Sequence, residues 1–485
     1  MRKGLFFISF IMLCDLAIAQ RDDLIKKYQD FRQQARKQHD DFRQRSNQVY
    51  ADFMRKAWER FQALPKIPRP KDEELTPPVV YPGRDSGEIK DRSLPYEQET
   101  PIVQPQPKPI PPIREQSSPV EERFSFLFFG TPCEVRAGEQ HRFKLKTCES
   151  NELATTWSQL SGEAYDHLIK DCLDMRERLQ LCDWAYLLFL EQLANSFLGK
   201  GTNEATLFMA FLYCQSGYRM RLAESSGKLF LLFASEHIIY DQNYWKIENE
   251  YYYALHCPEK SLNICSATFP QTHSLSLLIP RPPLLAETET PKRNLQDNNP
   301  QGINVSVSLN KNVLDFFDTY PSSMLHGDFM TRWAYYANTP LGEKTKTQLY
   351  PTLQQLLAEK SQWEAANLLI SFVQHAFEYE YDNKVWGRDR AFFAEETLYY
   401  PYSDCEDRTI LFTRLVRDLL GLKVALVYYP GHLAAAVHFT EEIPGDYLLV
   451  KGSKYLICDP TYIGAPIGVS MPNMDQAKAK LILLN

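Results

Sequence analysis

The stretch YSDCEDRTILF, Tyr402 to Phe412, sets a cysteine among three acidic residues, Asp404, Glu406 and Asp407, directly ahead of an apolar run. Beyond it, Leu411, Leu415, Leu419 and Leu422 recur at helical spacing, and Gly421 supplies a C-terminal stop. Cys405 is therefore expected at or just before a first helical turn. Unpaired N–H groups there stabilise a thiolate and, later, an oxyanion. The acidic neighbours act the other way. Taken alone, such a cysteine is more often a buried structural residue than a nucleophile or metal ligand.

The segment that follows changes this balance. In KVALVYYPGHLAAAVHF, Val424 to Tyr428 reads as a strand, Pro430-Gly431 as a turn, and His432 as the start of a second strand. Ala434 and Ala436 share parity with His432, and their small side chains are expected to let this strand lie close to the Cys405 helix. His438 has the same parity but stands about 20 Å further along at strand rise. GDYLLVKGSKYLICDPTYIG then gives two strands across a Lys-Gly turn, with Asp459 closing the second. A carboxylate there can accept the second ring N–H of His432, fixing its tautomer and stabilising an imidazolium. Cys458 points to the opposite strand face and reads as core. No C-x-x-C or H-x-x-x-H pair supports a metal site at these residues, so neither metal nor cofactor is expected.

SDCEDR, YPGH-AAAV and CDPTYIGAPIG resemble the three catalytic blocks of the transglutaminase-like superfamily of cysteine enzymes, in its bacterial exported branch. The resemblance spans roughly residues 303–485 and is strongest over 392–472. It implies an α+β, papain-like core in which a nucleophile helix packs on an antiparallel sheet, with Cys405 as nucleophile, His432 as base and Asp459 as orienting acid. It also implies thioester chemistry on a protein or peptide substrate, by a peptidase or amidase or by acyl transfer from glutamine. A further oxyanion donor is expected from the segment before Cys405. Trp386, Tyr399, Tyr400 and Tyr402 are candidates for it or for the cleft wall. The alternative is a non-catalytic envelope scaffold or a peptide- or glycan-binding protein with the same fold.

The rest of the chain divides by composition. Residues 1–19 read as a signal peptide: Arg2 and Lys3 precede an apolar core, and Ala17-Ile18-Ala19 matches a cleavage site. Bulky Leu13 argues against lipoprotein processing at Cys14. The mature chain is expected to carry no membrane span and to act in the periplasm or outside the cell. Residues 20–64 form an amphipathic helix with a period of eleven, which aligns Tyr28, His39, Tyr50 and Phe61 in one column and Phe31, Phe42 and Phe53 in another. That stripe needs a partner, another copy through residues 23–64 or the body of the protein. Residues 65–120 are a proline-rich linker, 121–282 an accessory α+β domain, 283–302 a second linker and 303–485 the catalytic domain.

Within the accessory domain, TNEATLFMAFLYCQSGYRMRLA echoes EDRTILFTRLVRDLLGLKVALV, with Gly217 matching Gly421 and Gly201 standing where Cys405 does. The domain is thus a candidate for an inactive copy of the catalytic fold. Ten cysteines are present, one of them in the leader, so an odd number remains. Cys133 with Cys148, and Cys257 with Cys265, are candidate bridges. A net charge of −7 and the absence of a long basic block make nucleic acid a poor partner.

Overall fold

The computed structural model describes residues 27, 30, 34, 37, 38, 41–70, 76–83, 89–101, 122–162, 165–270, 272–299 and 302–484. The signal-peptide reading, His39 and most of the first two eleven-residue blocks lie outside the described residues.

The architecture is mixed α+β, built on two large sheets. The C-terminal sheet grows from the expected helix. Cys405–Leu420 is helical, opened by reciprocal capping between Asp404 and Asp407 and closed by Gly421 at φ 65, a left-handed position suited to glycine. The chain then runs through strands Lys423–Tyr429, His432–His438, Asp446–Val450, Ser453–Cys458 and Lys480–Leu483. In space their order is Asp446–Val450, Ser453–Cys458, His432–His438, Lys423–Tyr429, Lys480–Leu483, every neighbour antiparallel. Gly445 presses against Gly468, where a Cβ would meet the facing Cα at 2.6 Å.

The helix packs on His432–His438 through Leu433, Ala435 and Val437, which join its leucines in one core. This corrects the expected parity. Ala434 and Ala436 face the other side of the sheet, in a smaller core with Leu94, Leu448 and Leu481. Alternation identifies two faces but not which one a distant helix will cover.

Within the supposed spacer at residues 65–120, residues 92–101 cover part of that second face. Arg92–Leu94 adds in parallel to one edge of the sheet and Gln98–Pro101 to the other, so the intervening turn crosses beneath, burying Leu94 and part of Tyr96. Upstream, Val79–Val80 pairs in parallel with Tyr462–Ile463. Within the supposed linker at 283–302, Arg293–Gln296 pairs with Asn304–Val307, and Leu295 and Asp297 are buried.

The N-terminal sheet has the strands Met220–Ser225, Lys228–Ser235, Tyr244–Ile247, Glu250–Ala254 and Ser261–Cys265 after a helix at Asn203–Gln215. Their spatial order is Tyr244–Ile247, Glu250–Ala254, Lys228–Ser235, Met220–Ser225, Ser261–Cys265, again antiparallel throughout. Trp58–Gln62 extends the Ser261–Cys265 edge. The repeat therefore does not stay helical to residue 64. Helix over 41–54 gives way to this strand, because the fourth block finds an open sheet edge. The helix docks on the body: Tyr50 is buried against Trp157 and Phe269, while Phe42 and Phe53 stay 40% and 61% exposed.

Neither candidate disulfide forms. Cys133, Cys148, Cys257 and Cys265 are free thiols, and most of the described cysteines are buried as small apolar groups. No helix among the described residues is long and apolar enough to cross a membrane.

Candidate active site

Cys405 is the first residue of its helix and is 3% exposed; His432 opens its strand at 2%, and Asp459 follows the Ser453–Cys458 strand at 3%. Antiparallel pairing of Ala435 with Cys458 brings the start of one strand beside the end of the other. The His432 Nε2 and Asp459 Oδ2 atoms are then 2.8 Å apart. The other carboxylate oxygen accepts the Thr461 N–H at 2.9 Å. His432 Nδ1 is buried and makes no hydrogen bond.

The thiol lies against the same strand. It meets the backbone N–H of Leu433, the residue after His432, while Thr409 Oγ1 donates to the Leu433 carbonyl at 3.0 Å. The structure thus sets Cys405 against the backbone of the strand that His432 opens, and pairs His432 with Asp459. It does not pair thiol with imidazole, because Cys405 Sγ donates instead to Glu406 Oε2 at 3.1 Å. Burial, then the charges of Glu406 and Asp404, push the Cys405 thiol well above its ordinary range, and only the Leu433 N–H opposes them.

The acidic neighbours are not solvated helix-start charges. Asp404, Glu406 and Asp407 are all buried, and burial and mutual repulsion raise the Asp404 and Asp407 carboxyls well above the ordinary carboxylate range. Asp407 accepts the Phe392 N–H at 2.8 Å, whereas Asp404 Oδ1 has no partner. Arg408 does not neutralise them by a direct ion pair. Its guanidinium donates to the Gln374 and Phe377 carbonyls at 3.1 and 2.7 Å and to Ser403 Oγ, and burial lowers it to about 10. The donor atoms of Asp382, Asp404 and Asp407 lie within 4.8 Å of one another, as do those of Asp404, Cys405 and Glu406. Oxygen-rich sets of this kind can hold a hard divalent cation.

Two residues escaped the sequence reading. Tyr379 pairs with Ser403 across a short parallel bridge, which brings it close to Cys405 in space. Its hydroxyl is buried and unpartnered, and burial followed by the charge of Cys405 raises its pKa. Gln374 donates one amide to the carbonyls of Asp459, Tyr462 and Ala465, at 3.2, 2.8 and 3.1 Å, and so pins the loop that carries the acid. The oxyanion and wall candidates make other contacts. Trp386 packs edge-on against Tyr400 and beneath the Arg390 guanidinium, and Tyr402 is exposed. His438 Nδ1 pairs with the Lys454 carbonyl and its ring stacks on Tyr455.

No protein-family model matches the chain, and neither a curated protein nor a solved structure matches it.

Proposed function

We propose that the protein is a cysteine-dependent amide-bond enzyme of the transglutaminase-like superfamily, with a papain-like core at residues 303–485. Cys405 is its nucleophile, His432 its base and Asp459 its orienting acid. The observation that carries this reading is the polarised imidazole: Nε2 is held by a buried carboxylate, and Nδ1 is buried without a hydrogen bond.

Activation requires the thiol to leave Glu406 and engage His432 Nδ1, which takes its proton. The thiolate adds to an amide carbonyl, and the oxyanion is held by helix-start N–H groups and by the Tyr379 hydroxyl. The C–N bond then breaks. The leaving amine or ammonia takes the proton from the imidazolium, leaving a thioester. Water or a second amine, deprotonated by His432, resolves that thioester to an acid or a new amide and restores the thiol. The substrate is a protein or peptide, and the site of action is outside the cytoplasm.

The thiol's bond to Glu406 favours a second reading, a non-catalytic scaffold that binds an extended chain. A thiol-reactive amide probe separates the two. Labelling that vanishes in Cys405→Ser supports the enzyme, and no labelling of folded protein supports the scaffold. Repeating turnover with and without an added primary amine then separates transfer from hydrolysis.

A further inference from the structure

The two large sheets share more than class. In each, one helix leads into five antiparallel strands whose spatial order is third, fourth, second, first, fifth in chain sequence. In each, the helix packs mainly on the second strand. In each, a segment from the N-terminal part of the chain adds a strand beyond the fifth: Trp58–Gln62 in one and Gln98–Pro101 in the other.

One contact sets the residue correspondence. Cys405 opens its helix and meets the N–H of Leu433, the second residue of the second strand. Asn203 opens its helix and accepts, at Oδ1, the N–H of Leu229, again the second residue of the second strand, at 2.9 Å. Asn203, not Gly201, therefore stands in the place of Cys405. Lys228 then stands for His432, and Leu255 for Asp459 as the residue after the fourth strand. Asn203, Lys228 and Leu255 supply no thiol, imidazole or carboxylate at these positions.

The space at this corner persists. A cavity of about 430 Å³ is lined by Lys200, Gly201, Lys228, Leu255, His256 and Glu191. A larger cavity of about 1090 Å³ shares Glu191 and His256 and continues along Phe129 and Trp184. His256 Nε2 lies 3.5 Å from Glu191 Oε1, while Lys200 and Lys228 make no ion pair among the described residues. The cleft thus joins a cationic rim to an aromatic wall.

We propose that residues 203–265 are a second, non-catalytic copy of the fold at residues 405–483, and that its cleft binds acidic, aromatic-bearing peptide segments. The two lysines pair with side-chain carboxylates, and the aromatic wall takes an apolar neighbour. That the ligand is a peptide rests on reading the catalytic copy as peptide-directed, whereas the preference for negative charge rests on the rim alone.

The test uses the full chain carrying Cys405→Ala, so that turnover plays no part. Fluorescence anisotropy is measured with fluorescein-labelled Glu-Glu-Phe-Glu-Glu and with Gln-Gln-Phe-Gln-Gln. The acidic peptide is expected to bind at least about tenfold more tightly, and the double variant Lys200→Glu/Lys228→Glu to lose about tenfold or more of that affinity. Both lysines are exposed, so its melting temperature should stay that of the parent. Adding His432→Ala should leave binding unchanged. No saturable binding, equal affinity for both peptides, or binding that follows His432 and ignores the lysines overturns the proposal. Failure of the amide probe to label Cys405 leaves this result untouched.

Discussion

His432 Nε2 sits 2.8 Å from Asp459 Oδ2, and the opposite ring nitrogen is buried with nothing to bond. The carboxylate that holds Nε2 also receives the Thr461 N–H, so the orientation of the ring is fixed from one side.

Replacing Asp459 by alanine strips a partner from both buried groups. The expected cost is about 2–5 kcal/mol in urea unfolding. His432→Ala/Asp459→Ala should cost clearly less than the two single changes added, because the imidazole is no longer stranded. Strict additivity would show that the hydrogen bond contributes no coupling.

The raised Cys405 thiol makes a signed pH prediction. Burial and the Glu406 and Asp404 charges favour the neutral thiol, so alkylation by iodoacetamide should rise only as pH climbs above the ordinary thiol range. Glu406→Gln removes one charge and should move the midpoint down by about one unit. An unmoved midpoint would mean that Glu406 does not govern the thiol.

Tyr379→Phe deletes an unpartnered hydroxyl and leaves the ring in place. Stability should change little. If the hydroxyl donates to an oxyanion, kcat on an amide substrate should fall about 10²-fold with KM nearly constant. An equal fall for thiol alkylation, which forms no oxyanion, would point to a structural role instead.

The segment at residues 76–81 runs beside the turn before His432 and the strand after Asp459. Thr76 donates its N–H to Gly431, next to His432, at 3.0 Å, and Tyr81 donates to Ile463 at 2.8 Å and packs edge-on against Tyr462. Tyr81→Pro abolishes the second hydrogen bond. The expected result is faster native-state alkylation of Cys405, severalfold, with little change in melting temperature. An unaltered rate would show that this segment does not limit access.

Local signals carried much of the outcome. Helical leucine spacing and Gly421 placed the Cys405–Leu420 helix, alternation placed the strands at His432 and Ser453, and the strand order marked a histidine and an aspartate that pair. These depend on hydrogen bonds and side-chain periods within a few residues, so the amino-acid order alone determines them. The tertiary structure decided what lies against each surface. It put Leu433, and not Ala434, under the helix, and gave residues 92–101 two sheet edges and part of a face to cover. It turned the fourth helical repeat into a strand, and it placed the Asn203 side chain on the Leu229 N–H. It also gave the thiol to Glu406 and brought Tyr379 close to it. Each of these outcomes is a competition for one buried position among segments far apart in the chain, and contact free energy in three dimensions settles it.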